Sequence, residues 1–331
     1  MNVFVAGSTG VLGRRVVTDL IDRDHRVVGL TRDRRGDALI ESLGAHPVRG
    51  DLFDPESMTR AAAGADVIVH AATAIPTKTK PSIDDWREND RIRVEGTKAL
   101  IDAARNVNAT KLILQSIVWV ARQPDGPWFD EDATPNPDRT AQSALEAEQL
   151  AQQAADERGL GVSILRCGLF YGPDAAHTRT YGEMLQRGKL PIVGGGLLGR
   201  RDALLSHIHV DDAARAFADA VDADRTGLWH VVDDKPAAIA DVFTHLADRL
   251  ATPKPQRIPG WLARWFVGPD AVALMTQPMP TSNDRIRHDL GWAPTYPTYR
   301  EGLAHVVQTW NAGVDSHAVS VAQALERRTV D

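Results

Sequence analysis

The stretch "VFVAGSTGVLGRRVV" (residues 3–17) decides the fold that we predict for this chain. It opens with a short apolar run and passes through three glycines, Gly7, Gly10 and Gly13. It ends in a segment whose apolar residues recur every three or four positions. The first pattern is typical of a buried strand and the last of an amphipathic helix. We therefore predict a strand, a tight glycine turn and a helix, in that order.

Further short apolar runs recur through the first half of the chain, with helical patterns between them. The runs are "NVFVA" (2–6), "HRVVGL" (25–30), "HPVRGD" (46–51), "DVIVHAA" (66–72), "KLILQS" (111–116) and "GVSILRC" (161–167). Strands that alternate with helices and are apolar on both faces belong to a parallel sheet covered on both sides. Because crossovers are right-handed, we predict an α/β fold with a doubly wound parallel Rossmann sheet.

The rhythm changes after about residue 170, where glycine and proline become frequent. We predict a Rossmann domain over residues 1–170 and a mixed region over residues 171–311. The second region adds the last sheet strands and a small, interleaved C-terminal substrate-binding lid. Residues 312–331 have weak helical character and are predicted to form a C-terminal tail.

Composition and charge limit the classes of function. The chain has 331 residues and a formal net charge of −6, which does not favour a nucleic-acid partner. A single cysteine, Cys167, excludes an internal disulfide framework and favours a reducing compartment. No apolar run approaches the roughly 20 residues that span a bilayer. We expect a cytoplasmic protein that acts on a small molecule and binds neither nucleic acid nor membrane.

The glycine turn predicts a site for a dinucleotide. Glycines let backbone N–H groups approach a pyrophosphate at a helix N terminus, where the helix dipole favours negative charge. The turn follows a strand and opens a helix within a unit of roughly 30 residues, as such a site requires. A tight turn without a ligand is the alternative. The predicted cofactor contacts lie in this turn and at the ends of the next strands: Gly7, Thr9, Gly10, Val11, Leu12, Arg32, Asp51, Leu52, Ala71 and Ala72.

The end of the second strand favours NADP(H) over NAD(H). Thr31 stands where an NAD site usually places an acid, and Arg32, Arg34 and Arg35 follow it in "TRDRRG". A guanidinium group suits a 2′-phosphate better than a pair of hydroxyls. Two alternatives stay open: the arginines form a solvated basic loop, or Asp33 is the acid of an NAD site.

Asp51 in "RGDLFD" has two interpretations. Its carboxylate is placed to accept a hydrogen bond from the adenine amine at the end of the third strand. It is equally placed to cap the next short helix.

Several stretches resemble the extended branch of the short-chain dehydrogenase/reductase superfamily, with its epimerases, dehydratases and reductases. The resemblance runs from residue 1 to about residue 310, through "GSTGVLG", "DVIVHAAT", "VEGTKALIDAA", "ILRCGLFYGP", "HIHVDDAARAF" and "GLWHVVDDKP". It implies a catalytic Ser or Thr after the fifth strand and a Tyr-x-x-x-Lys helix whose tyrosine is the general acid/base. It also implies a homodimer formed through two long helices, near residues 84–107 and 139–158.

The sequence departs from this family at the Tyr-x-x-x-Lys pair. With Glu148 placed on the family's helix glutamate, Thr140 occupies the tyrosine position and Ala144 the lysine position. Arg93 stands where an asparagine often precedes "V-x-G-T". The usual proton relay is therefore missing, while Ser116 in "LILQSIVWV" fits the family's serine.

We predict two catalytic residues. Ser116 orients the substrate carbonyl, and Tyr171 in "YGP" is the candidate proton donor, with Tyr181 and His177 as weaker candidates. A packing role before a turn proline is the alternative for Tyr171. Thr140 is the remaining polar residue near this site and is more typical of a helix cap.

The motif "HIHVDD" (207–212) places two histidines on one face of a strand, which is compatible with a metal site. A strand end followed by an Asp-capped helix explains the motif better, so we predict no metal. An arginine that often grips a sugar-nucleotide diphosphate in the family is replaced by Leu205, with Arg200 and Arg201 a few residues earlier.

Four aromatic residues are expected to border the cleft: Trp86, Trp119, Trp128 and Phe129. They favour a small, fairly apolar metabolite, although packing in the core or in a dimer is their alternative role. Our hypothesis is an NADP(H)-dependent oxidoreductase that acts on a carbonyl or alcohol. The alternatives are a non-catalytic NADP(H)-binding sensor or partner-binding protein, and an epimerase or dehydratase that uses its cofactor transiently.

Overall fold

A computed structural model describes residues 1–312 except Thr77, Thr79 and Asp125. Strands and helices alternate through the first half of the chain. They are β1 (Asn2–Ala6), α1 (Val11–Asp22), β2 (Arg26–Thr31), α2 (Arg34–Ser42), β3 (His46–Arg49), α3 (Pro55–Ala61), β4 (Val67–His70), α4 (Ile83–Arg91), a π-helical turn (Ile92–Gly96), α5 (Thr97–Asn106), β5 (Lys111–Ile117), a 3₁₀ turn (Val118–Ala121), α6 (Gln142–Arg158) and β6 (Gly161–Cys167).

The second half has shorter strands. Its elements are β7 (Leu169–Tyr171), α7 (Ala176–Gln186), β8 (Ile192–Gly194), β9 (Leu204–Leu205), β10 (His207–His209), α8 (Val210–Asp222), β11 (Leu228–Val231), β12 (Ala237–Ala238), α9 (Ile239–Arg249), β13 (Arg257–Pro259), α10 (Gly260–Val267), α11 (Pro269–Thr276) and α12 (Asp284–Leu290). A last helix, α13, runs through residues 299–312.

Seven parallel strands form the central sheet, in the order β11-β6-β5-β4-β1-β2-β3. The chain winds outward from β1 in both directions, and apolar cores cover both faces. This confirms the predicted doubly wound Rossmann sheet. The winding reverses between β1 and β4, where a crevice opens at the carboxyl ends of the strands.

The chain beyond residue 170 contributes to the central sheet and also builds a smaller region beside it. Strand β11 pairs with β6 in the central sheet, whereas β8 pairs with β13 and β9 with β12 in small two-stranded sheets. Helices α7, α9 and α13 enclose a separate apolar core. Of the predicted tail, residues 313–331 lie outside the described residues. Among the described helices, none is both long and apolar enough to cross a membrane.

Helix α1 is tied to this smaller region by charge. Arg14 pairs with Asp174, which follows β7, and Arg15 pairs with both Asp174 and Asp211 of α8. The distance between Arg15 Nη2 and Asp174 Oδ1 is 2.9 Å. The helix that follows the glycine turn therefore contacts both parts of the molecule.

A buried ion pair fixes α6 on the sheet. Arg166 of β6 donates from Nη2 to Glu148 Oε2 at 2.7 Å and from Nε to Oε1 at 2.9 Å. Ser116, which is paired with Arg166 in the sheet register, donates its hydroxyl to Glu148 Oε1 at 2.5 Å. The two charged side chains are only 3% and 5% exposed. Removing either partner would leave a charge buried without compensation.

The Glu148–Arg166 pair makes a prediction about stability. We expect Glu148→Leu to lower the free energy of unfolding by about 3–5 kcal/mol, because Arg166 is left buried and unpaired. The double variant Glu148→Leu/Arg166→Met should lose less, since it buries no charge. Equilibrium urea unfolding measures both.

The matched control is Glu56→Gln, which breaks the exposed pair between Glu56 and Arg60. It should leave the free energy of unfolding nearly unchanged. A double variant as unstable as Glu148→Leu alone would contradict the charge-based explanation.

Candidate functional site

The glycine turn between β1 and α1 is shaped by close backbone contacts. Gly7 has a φ of +85°, and a Cβ there would lie 2.5 Å from the backbone nitrogen of Ala72. A Cβ on Gly13 would lie 2.0 Å from the carbonyl oxygen of Gly7, so α1 packs directly on the turn. A Cβ on Gly10 would approach that same oxygen at 3.2 Å and no other described atom within 4 Å. Gly10 thus leaves an open cradle.

The N terminus of α1 opens into this cradle. Gly10 is its N-cap residue, and no described side chain caps the helix. The backbone N–H groups of the first turn and the positive end of the helix dipole remain available to an anion. These residues fit the pyrophosphate of a dinucleotide, because the unsubstituted Gly10 admits a close backbone approach.

The opposite wall of the crevice follows β4. Ala71 is buried, and the backbone of Ala72 touches Gly7. His70 Nδ1 accepts from the Ala72 N–H at 3.4 Å, and its Nε2 lies 3.3 Å from the Ile92 carbonyl oxygen. Burial lowers the pKa of His70 to about 4, so it is neutral. The predicted contacts Gly7, Ala71 and Ala72 are therefore brought together, although the sequence did not point to His70 beside them.

The other predicted residues of the turn lie just before α1 or in its first turn. Thr9 and Val11 are half-buried at the start of α1, whereas Leu12 is buried in the core beneath it.

The carboxyl end of β2 carries no free carboxylate among the residues singled out from the sequence. The Thr31 hydroxyl donates to Asp37 at 2.5 Å, and Arg49 pairs with the same carboxylate. The Asp33 carboxylate caps α2 by accepting from the Gly36 N–H at 2.8 Å. Asp33 is thus engaged locally, and Asp37 is a neighbour that the sequence pattern did not single out.

Three guanidinium groups surround this strand end. Arg32, Arg34 and Arg35 are all exposed, and within the described chain none forms a hydrogen bond or an ion pair. They are free to meet an anionic ligand or to stay in solvent.

Asp51 is exposed and closes its own turn. Its carboxylate accepts from the Phe53 N–H at 2.9 Å, while Asp54 is the residue that caps α3. The helix-capping alternative for Asp51 is therefore wrong, because Asp54 lies immediately before the first helical residue. Leu52 is half-buried and lies against Gly96 of the π-helical turn.

Both predicted catalytic hydroxyls are buried and bonded to carboxyl groups. Ser116 donates to Glu148, as described above. Tyr171 is 6% exposed and donates to Asp233 Oδ2 at 3.1 Å. Burial raises the pKa of Tyr171 and that of Asp233 well above their ordinary values. These contacts favour the packing alternative for Tyr171.

The two weaker candidates differ in exposure. Tyr181 is half-buried and packs on Phe243, and burial raises its pKa. His177 is exposed, and its Nε2 lies 2.6 Å from the carbonyl oxygen of Phe170.

Thr140 and Ala144, which the resemblance aligns with the family's tyrosine and lysine, lie just before α6 and in its first turn. The Thr140 hydroxyl and backbone N–H both bond to Asp138 Oδ1, at 2.7 and 2.8 Å. Ala144 is buried one turn later. Neither side chain is an acid or a base, so the first turn of α6 has no proton relay of its own.

Arg93 reaches this turn from the π-helical segment. It is 7% exposed, and its Nη1 donates to the Thr140 carbonyl oxygen at 3.0 Å and to Ser143 Oγ at 3.3 Å. Burial lowers the pKa of Arg93 to about 10, which leaves it a cation at neutral pH. From the sequence, its only signal was that it replaces an asparagine.

The histidine motif has neighbours that the sequence did not indicate. Ligand atoms of His209, Asp211 and His305 lie within 4.8 Å of one another. However, His209 Nδ1 accepts from the Asp211 N–H at 3.2 Å, and Arg15 pairs with the Asp211 carboxylate. His207 is buried on the same strand. Helix capping and charge pairing thus occupy these groups.

The remaining predicted residues are dispersed. Trp128 is exposed, Trp86 and Trp119 are half-buried, and Phe129 is buried. Leu205 is buried, whereas Arg200 and Arg201 are exposed beyond β8.

Comparisons with known proteins agree with this architecture. A model of the NAD dependent epimerase/dehydratase family matches residues 3–231. A Streptomyces 3-diazoavenalumate denitrifying reductase is 36% identical over 314 residues, which cover 92% of this chain and 99% of that protein. A 2-alkyl-3-oxoalkanoate reductase of Shewanella oneidensis is 28% identical over 283 residues, covering 79% and 70%.

Among solved structures, Thermus thermophilus UDP-glucose 4-epimerase in complex with NAD superposes with a TM-score of 0.75. The two chains are 23% identical, and the match covers 93% of this chain and 98% of the epimerase, which shows the shared fold. The family match includes the glycine turn and six of the seven central strands in full, among them the last strand, β11; it covers β1 from residue 3. This chain belongs to the NAD-dependent epimerase/dehydratase family.

Proposed function

We propose that this chain is an NADPH-dependent reductase that replaces the diazo group of a small aromatic compound with hydrogen. The observation that carries the proposal lies at the start of α6. Thr140, just before the helix, and Ala144, in its first turn, occupy the positions that the resemblance gives to an acid and a base. A carbonyl that accepts hydride becomes an alkoxide and needs a proton from the site. A diazonium carbon that accepts hydride needs none.

The chemistry balances without a proton relay. The aryl C–N bond breaks, N₂ leaves with the bonding pair, and a C–H bond forms with the electron pair of the hydride. When bound, the reduced nicotinamide supplies that hydride. The protein's part is to hold the reacting carbon at the correct distance and to exclude water.

One of the relatives supports a diazo substrate. The Streptomyces protein, which aligns over nearly the whole of both chains, is named for a diazo compound and for a denitrifying reduction. We propose the same substrate class for this chain because of this likeness and because Thr140 and Ala144 are neither acid nor base.

The cofactor contacts that we propose follow from the crevice. Gly10 and the start of α1 receive the pyrophosphate, and the backbone after β4 borders the opposite side. Arg32 binds the 2′-phosphate of NADPH, since Thr31 and Asp33 are engaged in local hydrogen bonds.

Reduction of a carbonyl is a second candidate. It is favoured by the 28% identity to an oxoalkanoate reductase over 79% of this chain. It requires a proton from a group other than the residues at positions 140 and 144. In the two candidate reactions, the hydride of the cofactor is added to different atoms. Diazo reduction places it on the aryl carbon, and carbonyl reduction places it on the carbonyl carbon.

A tracer experiment separates them. NADPH deuterated at both C4 positions is incubated with the protein and with diazotised 3-amino-4-hydroxybenzoate. We expect one deuterium at the aryl carbon and N₂ released in equal amount, measured by mass spectrometry. In a parallel reaction, a 2-alkyl-3-oxoalkanoate should remain unlabelled.

The background is set by samples without protein and with Gly10→Val, whose side chain would fill the cradle. Deuterium at the carbinol carbon of the oxoalkanoate would instead favour carbonyl reduction. Tight NADPH binding with no label in either product would contradict both candidates and favour the non-catalytic sensor.

Cofactor choice is tested at Arg32. We expect Arg32→Ala to weaken NADPH binding by about tenfold or more and to leave NADH binding nearly unchanged, because only the former carries the 2′-phosphate. Titration of protein fluorescence gives both values of Kd.

Arg26→Ala is the control, since Arg26 is an exposed arginine at the opposite end of the same strand. It should change neither affinity. Equal weakening of NADPH and NADH by Arg32→Ala would refute the assignment.

A further inference from the structure

The π-helical turn that carries Arg93 borders the crevice. The carbonyl oxygen of its first residue, Ile92, lies 3.3 Å from His70 Nε2 at the end of β4. Its last residue, Gly96, lies against Leu52, where a Cβ would be 3.1 Å from that side chain. Arg93 therefore starts from backbone that touches the proposed cofactor site. Such π-helical insertions occur often at functional sites.

Arg93 is a buried cation whose described hydrogen-bond partners are neutral, although the nearby carboxylates of Asp90 and Glu148 favour its charged form. Its two hydrogen bonds go to a carbonyl oxygen and to the hydroxyl of Ser143, which itself donates to Asp90 at 2.6 Å. Within the described residues no carboxylate lies in ion-pair contact with it. A guanidinium presents several N–H donors, and a cation removed from water is costly unless it meets an anion. The positive charge of Arg93 is therefore not neutralised by an ion pair with a described residue.

A second guanidinium reaches the same turn from the other side. Arg122 follows the 3₁₀ turn after β5, is 8% exposed, and donates from Nη2 to Asp138 Oδ2 at 3.0 Å. Its Nη1 is enclosed and finds no partner among the described residues. Asp138 in turn accepts from Thr140, whose carbonyl oxygen accepts from Arg93. The two arginines are therefore linked through residues 138–140.

We propose that Arg93 and Arg122 bind a carboxylate of the substrate beside position 140. A planar guanidinium matches a carboxylate with paired hydrogen bonds, and these are strongest where water is excluded. The small Ala144 replaces the lysine of the family at this point, so the positive charge comes from a different element. This inference rests on the proposed function and narrows it to aromatic diazo compounds that carry an acid.

The test measures binding without any reaction. The protein is saturated with NADP⁺ and titrated by calorimetry with 4-hydroxycinnamate and, separately, with its methyl ester. We expect the acid to bind about tenfold more tightly than the ester, or better, as a charged hydrogen-bonded contact would give. Arg93→Met should remove this preference by weakening the acid alone, and Arg93→Lys should restore part of it.

Arg139→Met is the matched control. Arg139 is adjacent to Thr140 but is paired with Asp270 of α11. We therefore expect Arg139→Met to leave the preference for the acid unchanged. Arg122→Met should reduce the preference in the same sense as Arg93→Met. Thermal unfolding accompanies each titration and shows whether each variant still folds, because Arg93 also bonds to the Thr140 carbonyl oxygen and to Ser143 Oγ.

The outcomes separate this inference from the function on which it rests. Equal affinity of the wild type for acid and ester overturns the carboxylate site even if diazo reduction is observed. A lower Tm in Arg93→Met with an unchanged preference for the acid overturns it too, since Arg93 would then only support the fold. Weaker NADP⁺ binding in Arg93→Met, with the preference retained, assigns Arg93 to the cofactor instead. Failure to bind NADP⁺ at all counts against the proposed function.

Discussion

The buried ion pair between Glu148 and Arg166 is the contact on which the rest of the site depends. It holds α6 against β5 and β6 at a single rotation, because the guanidinium meets both carboxylate oxygens and Ser116 occupies the same carboxylate. Two charges buried in this way are tolerated only while they stay together. The first turn of α6, with Thr140 at its edge, is positioned as a consequence. Arg93 and Arg122 both contact the segment that leads into this turn, at Thr140 and Asp138.

Local patterns predicted those features that depend on neighbouring residues in the chain. The glycine turn is an example, since Gly7, Gly10 and Gly13 meet contacts formed by the turn itself and by the end of β4. The parallel sheet is another, because alternating apolar runs and helices restrict the topology to very few arrangements. The family resemblance identified Thr140 and Ala144 as the residues aligned with the family's tyrosine and lysine. Residue spacing alone would not have identified these positions.

The site beyond the turn depends on contacts between distant residues. Arg93 bonds to a residue 47 positions away, and Arg122 to one 16 positions away. Ser116 was predicted from the family resemblance to orient the substrate carbonyl, and the sequence did not indicate its hydrogen bond to Glu148 of α6, 32 positions away. Likewise, the sequence offered Asp33 and Asp51 as candidate ligand acids, and it did not show that each carboxylate accepts a local backbone N–H. Strand periodicity gives the face of a side chain but not the neighbour that packs on it.

The pairing of α1 with the smaller region has a mechanical consequence. The helix that begins after Gly10 pairs through Arg14 and Arg15 with Asp174, which follows β7, and Arg15 also pairs with Asp211 of α8. A hinge opening that moved the segment after β7 away from α1 would have to break both pairs to Asp174, whereas α8, which carries Asp211, packs in the same core as α1. The salt bridges to Asp174 therefore oppose a hinge motion between α1 and the segment that follows β7.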